Sequence, residues 1–460
     1  MLRFGYTLLM HFAMPLILLR LWLRGRAESG YRKQIGERFG GIDQGSVSSD
    51  LSTRSIWIHA VSVGEVRAAV PLVAALRAQW PEAPVVLTCM TPTGRRTALD
   101  LFTNAVTVCY LPYDLPWALA RFIKRWQPMM LVIMETELWP NLLAACSARR
   151  IPAFLANARM SEKSRSGYAR YGFIRALAST AFGQFHTVTA QSDADAQRLR
   201  SLGATRVVVT GNLKFDMTVD VHLVERGMTW RSAAASAVAP TVAPAVAHAV
   251  VPAAAPAVAT SSRPILLLAS TREHEEMTLV NAYQRMFAGS SSSTRPLLVI
   301  VPRHPSRFDD IAARIEHAGL SLQKRSINQA PAADIDVWLG DSMGEMQAYY
   351  AMCDVAIIGG SFQALGGQNL IEAAALAKPV IMGPSTFNFA DAVRLALAAE
   401  AMIRVADADA AMVAAAELFA APERLMQMGE NALHFAQAHG GATTRTVEII
   451  QNALRENTKP

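Results

Sequence analysis

IWIHAVSVGEVRAAVPLVAAL, residues 56 to 76, is an apolar strand that breaks into Ser-Val-Gly and delivers Glu65 at the threshold of a helix. An open α/β sheet binds ligands where its strands end, because the loops there and the helix amino ends beyond them face an open crevice. Glu65 is therefore a candidate general base. The competing reading makes it an acidic residue that complements a helix dipole, and this segment alone does not separate the two.

Outward from this stretch, apolar runs alternate with helical patterns from 55 to 215: SIWIHAV, PVVLTCM, TVCYLPYD, MLVIMETE, PAFLANA, TVTAQS and RVVVTGN. Val- and Ile-rich strands each followed by a helical segment describe an α/β fold with a doubly wound parallel sheet. Residues 232 to 262 break the pattern with Ala, Pro and Val in low-complexity repetition, where recurrent prolines exclude a stable helix. A second alternation runs through PILLLAS, PLLVIVPRHP, DVWLGD, VAIIGGS and PVIMGP to about 383. The tail from about 411 to 455 is helical, its apolar residues spaced near 3.6. Two Rossmann-like domains facing a central cleft form the expected architecture.

Composition narrows the function. With 460 residues, 52% of them hydrophobic, the chain suffices for two α/β domains, each with its own core. The four cysteines, Cys89, Cys109, Cys146 and Cys353, lack paired spacing, which argues against a disulfide framework or a zinc site and fits a reducing cytoplasm. Of the net charge of +7, five units fall in residues 1 to 40, so a nucleic-acid footprint is not expected. A local basic surface beside an apolar segment is. That segment is FGYTLLMHFAMPLILL, residues 4 to 19, followed by RLWLRGR. Its uncharged stretch is shorter than the roughly 20 residues that span a bilayer, and Pro15 interrupts it. It either lies in the membrane interface or spans marginally, and the basic cluster after it keeps the following chain cytoplasmic. A helix packed on its own domain is the alternative.

Several strand ends carry groups suited to chemistry. In domain one, METELWPN places Glu135 and Glu137 after one strand and GNLKFD places Lys214 after another. The two glutamates suggest a divalent metal only if a further ligand joins them; a polar network is preferred, and no metal is expected. Lys214 is suited to balance charge on a departing phosphate, or else pairs with Asp216 or a glutamate. In domain two, Pro302, Arg303 and His304 follow LLVIV; Met343, Gly344 and Glu345 follow LGDS; GGSFQALGGQNLIEAA runs from 359 into a helix. There Gly366 and Gly367 permit close backbone approach, and a helix opening at Gln368 and Asn369 offers amides to a phosphate, with Glu372 one turn on for ribose hydroxyls. Converging strand ends on one face favour a nucleotide site.

The chain resembles the bacterial 3-deoxy-D-manno-octulosonic acid (Kdo) transferases. The resemblance is carried by SVGEVRAA, MTPTGRR, LPYDLP, METELWPN, ANARMS, GNLKFD, VPRHPSRF, GDSMGE, GGQNLIEAA and MGPSTFNF, in order over nearly the whole chain outside the Ala/Pro/Val insert. It implies the GT-B glycosyltransferase fold, a CMP-Kdo donor, a lipid IVA acceptor, no cofactor and a place on the cytoplasmic side of the inner membrane. By position, the family's general base matches Glu65, and its transition-state-stabilising residues match Glu135 and Lys214. Its CMP contacts match Pro302 and Arg303, then Met343, Gly344 and Glu345, then Asn369, Leu370, Ile371 and Glu372. Gln368 stands where the family commonly has histidine, Leu370 where it has proline, and Ala364 and Leu365 where it has Glu-Arg; these bear on donor contacts, not on the fold.

The implied division is a membrane-associating segment 1–40, an acceptor-binding domain 41–220, a linker 221–262, a CMP-Kdo-binding domain 263–430 and a C-terminal helix 431–460. Glu65 would take the proton of an acceptor hydroxyl as that oxygen attacks the Kdo anomeric carbon with inversion, while backbone amides and cations balance the departing CMP. Two rivals remain at this level: another sugar-nucleotide enzyme, such as a UDP-sugar epimerase or transferase, and a membrane-tethered nucleotide-binding regulator without turnover.

Overall fold

Strands that must be covered by helices on both faces read as unbroken apolar runs, and the strands of this chain do so. The structure, a computed structural model, describes residues 2–41, 53–103, 105–235, 263–290, 295–327 and 330–458. The Ala/Pro/Val insert from 236 to 262 lies outside the described residues. The chain divides into two units, Met1–Met217 with His439–Pro460, and Thr218–Ala438.

The first unit holds β1 (Ser55–His59), β2 (Val85–Cys89), β3 (Thr107–Tyr110), β4 (Pro128–Met134), β5 (Ala153–Ala158), β6 (Thr187–Ala190) and β7 (Val207–Val209). All pair in parallel in the order β3-β2-β1-β4-β5-β6-β7. Its first eight helices are α1 (Leu2–Ala27), α2 (Val63–Gln79), α3 (Pro92–Phe102), α4 (Pro116–Trp126), α5 (Pro140–Ala148), α6 (Glu162–Ala169), α7 (Gly172–Phe182) and α8 (Asp193–Ser201). Alternation along the strands feeds two cores. Trp57, Leu131 and Ile133 meet Phe122, Leu142 and Phe182 on one face; Ile56, Ile58, Met130 and Val132 meet Leu72, Leu76 and Phe102 on the other. The second core is completed from far along the chain by Ile450 and Ala453 of the helix Ala442–Thr458. The Asp216 carboxylate fixes that helix's start by accepting the Gly441 and Thr443 amides.

Pro15 does not interrupt α1, which continues for 26 residues, or about 39 Å at 1.5 Å per residue. One missing amide is offset by intact turns on either side and by a stripe of Met10, Met14, Ile17 and Leu21 against Tyr113, Leu115 and Ala118. Among the described residues, Leu2–Arg26 is the single helix long and apolar enough to cross a membrane.

The second unit holds β8 (Ile265–Thr271), β9 (Leu297–Pro302), β10 (Leu322–Lys324), β11 (Val337–Leu339), β12 (Val355–Ile358), β13 (Val380–Met382) and β14 (Met402–Arg404). They are again parallel, in the order β10-β11-β9-β8-β12-β13-β14. The short β10 and β14 at the two edges add to the five strands that the apolar runs announce. Val221–Ala235, assigned to the linker on sequence, is a helix of this unit. Trp230 accounts for the difference: it is buried edge-on against Trp338 at 4.9 Å and beside Tyr349 at 5.1 Å. Gly227 lets the backbones close, since a Cβ there would fall 2.2 Å from the Ala348 carbonyl oxygen.

Candidate active site

Each sheet has a switch point from which the chain departs to both sides, between β1 and β4 in the first and between β8 and β12 in the second. Loops after such strands diverge and leave a crevice. Glu65 follows β1 and Glu135 follows β4, so the first switch point receives both carboxylates.

Glu65 sits in the first turn of α2, where Ser62 is the extended N-cap. Its carboxylate reaches back to accept the Val61 amide at 2.6 Å and the Ser62 hydroxyl at 3.2 Å, a variant of the capping box. The helix-capping reading is thus physically true. Capping alone would keep the group an easy anion, yet burial first, and then the Glu135 and Glu137 charges, push it up to about 8. A carboxyl so placed exchanges protons near neutral pH, as a general base must.

Glu135 stands at φ +57°, a left-handed conformation that costs a side chain roughly 1–2 kcal/mol, and its amide donates to the Ala156 carbonyl at 2.9 Å. The turn turns its carboxylate toward Lys214 Nζ at 3.4 Å. Lys214 occupies the short turn Leu213–Asp216 after β7. That turn is bound through Leu213 N to Asn157 Oδ1 and Lys214 N to Asn212 Oδ1, both at 3.0 Å. The three expected residues are therefore assembled: Glu135 pairs directly with Lys214, and its charge acts on Glu65. Burial also raises Glu137. Among the described residues no cluster of three His, Cys, Asp or Glu forms a metal site.

In the second unit, Pro302 ends β9 and the Arg303 amide donates to the Thr271 carbonyl at 2.9 Å, tying the loop ends after β8 and β9. Met343 is exposed and Gly344 takes φ +82°. Glu345 is engaged within the protein, with Arg226 at 2.7 Å, Arg325 at 3.0 Å and the Ser342 hydroxyl at 2.5 Å. Burial acts to raise its carboxyl, but these partners outweigh it and hold the group below the usual range. Leu370 and Ile371 are buried, so they present backbone only. Asn369 accepts the Ile371 amide at 3.1 Å and donates to Glu372 Oε1 at 3.0 Å.

The structure corrects one expectation. The helix opens at Ile371, and the Gln368 amide is taken by the Gly359 carbonyl at 3.0 Å, so neither it nor the Ile371 amide awaits a phosphate. The glycine loop is instead locked to MGPSTFNF: Gly366 N donates to Ser385 Oγ at 2.9 Å and Asn388 Nδ2 to the Leu365 carbonyl at 2.8 Å. A Cβ on Gly366, at φ +83°, would come within 2.6 Å of Phe387.

Sequence reasoning missed Glu275. Its fully buried carboxylate accepts both Arg272 N at 2.6 Å and Gly360 N at 2.5 Å, joining the loops on either side of the second switch point. Burial lifts it to about 7. Its signal in the sequence is the acidic run REHEE, residues 272 to 276, directly after β8.

Two parallel seven-stranded sheets, each with its own switch point, define an α/β fold of the GT-B class, and solved structures agree. A glycosyltransferase from Rickettsia africae matches with a TM-score of 0.54 at 14% identity, covering 87% of this chain and 99% of that one. UDP-GlcNAc 2-epimerase from Neisseria meningitidis matches with a TM-score of 0.53 at 14% identity, covering 87% and 100%. A family model described as 3-deoxy-D-manno-octulosonic-acid transferase (kdotransferase) matches residues 33–217. The 3-deoxy-D-manno-octulosonic acid transferase of Bordetella pertussis is 41% identical over 458 residues, 98% of this chain and 99% of that protein. Its namesake from Haemophilus influenzae is 33% identical over 99% of each. The chain belongs to the 3-deoxy-D-manno-octulosonic acid transferase family and is a glycosyltransferase.

Proposed function

We propose that this enzyme moves Kdo from CMP-Kdo to lipid IVA, in lipopolysaccharide synthesis, by a single inverting displacement with Glu65 as general base. The observation that carries the reading is the pairing of a proton-exchanging Glu65 with the Glu135–Lys214 ion pair at one switch point. Glu65 takes the proton of the acceptor hydroxyl as the oxygen bonds to the anomeric carbon and the bond to CMP breaks. Glu135 holds Lys214 in place, and the ammonium balances negative charge that develops in the transition state. Pro302, Arg303, Met343, Gly344, Glu345, Asn369, Leu370, Ile371 and Glu372 frame the CMP site. Asn369 and Glu372 act through side chains, Leu370 through backbone, Ile371 by fixing the helix start behind the site, and Glu345 by ordering its loop.

The acceptor is a membrane lipid, and α1 suits its surface. Phe4, Leu8, Phe12, Leu16 and Leu19 are exposed, while Arg26 and Arg32 stack on Trp22 at 4.4 and 5.0 Å near the helix end. With its other stripe held on the first unit, α1 lies in the interface of the inner membrane on the cytoplasmic side, where arginines meet anionic headgroups. Mass spectrometry of the product made from purified enzyme, lipid IVA and CMP-Kdo tests the whole reading. CMP should inhibit and UDP should not; inhibition by UDP alone would favour the UDP-sugar enzymes that share the fold.

A further inference from the structure

The stripe that seats α1 is apolar at Met10, Met14, Ile17 and Leu21, spaced three and four residues apart. Such a stripe selects a helix face but holds register weakly, because sliding by one turn, about 5.4 Å, presents similar groups to the same surface. The stripe turns polar at Thr7. Its hydroxyl lies 3.0 Å from Asn141 Oδ1 and 2.9 Å from the Arg3 carbonyl, and shares one proton between them. One residue earlier, the Tyr6 hydroxyl faces the Asp114 carboxylate. A helix needed only for its greasiness has no use for these groups.

Asp114 and Asn141 belong to LPYDLP and METELWPN. The Asp114 carboxylate accepts Asn141 N at 2.9 Å and Leu142 N at 2.8 Å, and its carbonyl accepts Asn141 Nδ2 at 2.8 Å. It thereby supplies, from a distant part of the chain, the amino-terminal cap of α5 that Trp139 does not provide. The segment Glu135–Trp139 runs directly into α5. Its front is fixed by the Glu135 amide on Ala156, and its rear by Asp114. Asp114 and Asn141 are 0% and 3% exposed, so water does not substitute for these bonds.

We infer that Tyr6 and Thr7 form a polar latch through which the seating of α1 positions the Glu135–Trp139 loop, making α1 a positioning element of the acceptor site as well as a membrane-facing helix. This rests on the reading of that loop as part of the active site.

The test uses the full-length enzyme with CMP-Kdo and lipid IVA dispersed in detergent micelles, so that bilayer affinity does not enter. The Tyr6→Phe/Thr7→Val double variant keeps α1 apolar. Its kcat should fall about tenfold, with KM for CMP-Kdo and flotation with anionic phospholipid vesicles unchanged, while Thr7→Ser keeps the wild-type kcat. In enzyme labelled with 5-fluorotryptophan, the 19F resonance of Trp139 should move in the double variant. A wild-type kcat, or a kcat loss with the Trp139 resonance unmoved, overturns the latch. If the double variant does not accumulate folded, the single variants replace it, each expected to lose about threefold, and wild-type rates in both overturn it. Glu135→Gln is the separate control: full activity there refutes the loop's part in the reaction, whatever the latch variants do.

Discussion

If Glu65 is the base, the pH dependence of transfer is set by a carboxyl lifted to about 8. The active form is the anion, so the rate rises with pH. At pH 7 about one molecule in eleven carries it, at pH 6 about one in a hundred and at pH 8 about half, so kcat should climb about fiftyfold from pH 6 to 8 and then level. Two neighbours move the limb in opposite directions. Glu135→Gln removes a negative charge that acts on Glu65 and shifts the limb to lower pH. Lys214→Met leaves Glu135 without its cation 3.4 Å away and shifts the limb upward. Both variants also lose maximal rate. Glu65→Gln should lower kcat by roughly 10² to 10⁴ and abolish the limb, which separates it from titration of the acceptor's phosphates. The assay is kcat at saturating CMP-Kdo and acceptor from pH 5.5 to 9.5. A flat profile in wild type, or a limb that survives in Glu65→Gln, would refute the assignment.

The same shift has a consequence for stability. A carboxyl raised from 4.5 to about 8 on folding contributes stability that is complete below 4.5 and is lost as pH rises through 8; Glu65→Gln should therefore gain thermal stability relative to wild type between pH 6 and 9, and parallel curves of Tm against pH would count against the burial. Gly366→Ala forces a left-handed alanine into contact with Phe387, and KM for CMP-Kdo should rise about tenfold, the equivalent of roughly 1–2 kcal/mol, with the acceptor KM unchanged. Phe12→Ser/Leu16→Ser alters only exposed positions of α1, so vesicle flotation should weaken several-fold while kcat in micelles stays at the wild-type value; undiminished flotation would remove α1 from the membrane contact.

Strands were readable where burial on both faces leaves unbroken apolar runs, as in SIWIH and MMLVIM, and at the Val-rich edges of the first sheet, but not at the edges of the second. β10, Leu-Gln-Lys, has no fully buried residue, and β14, Met-Ile-Arg, buries one. The alanine-rich drift after 232 concealed that Trp230 had already committed the preceding helix to the second unit. At the candidate active site, spacing placed Glu65, Glu135 and Lys214 on strand ends, since that depends on local sequence alone. Their charge state did not follow, because it arises from burial and from a neighbour 70 residues away. Gln368 illustrates the reverse error: a glycine-rich turn before a helix advertises open amides, but a backbone carbonyl nine residues earlier closes one of them. Asp114, and Glu275 in its bond to Gly360, were silent for a similar reason, as each carboxylate there acts on amides that only the folded chain brings to it.

The helix Ala442–Thr458 closes a core begun some 390 residues earlier, so the second unit is an insertion into the first. On the ribosome, the β1–α2 region must wait, with Leu72, Leu76 and Ile58 not yet covered by Ile450 and Ala453, until every residue of the second unit has been made. Translation thus delivers the second unit complete before the unit bearing Glu65 can finish, and a chain truncated near its end would carry a folded second unit beside an unfinished first.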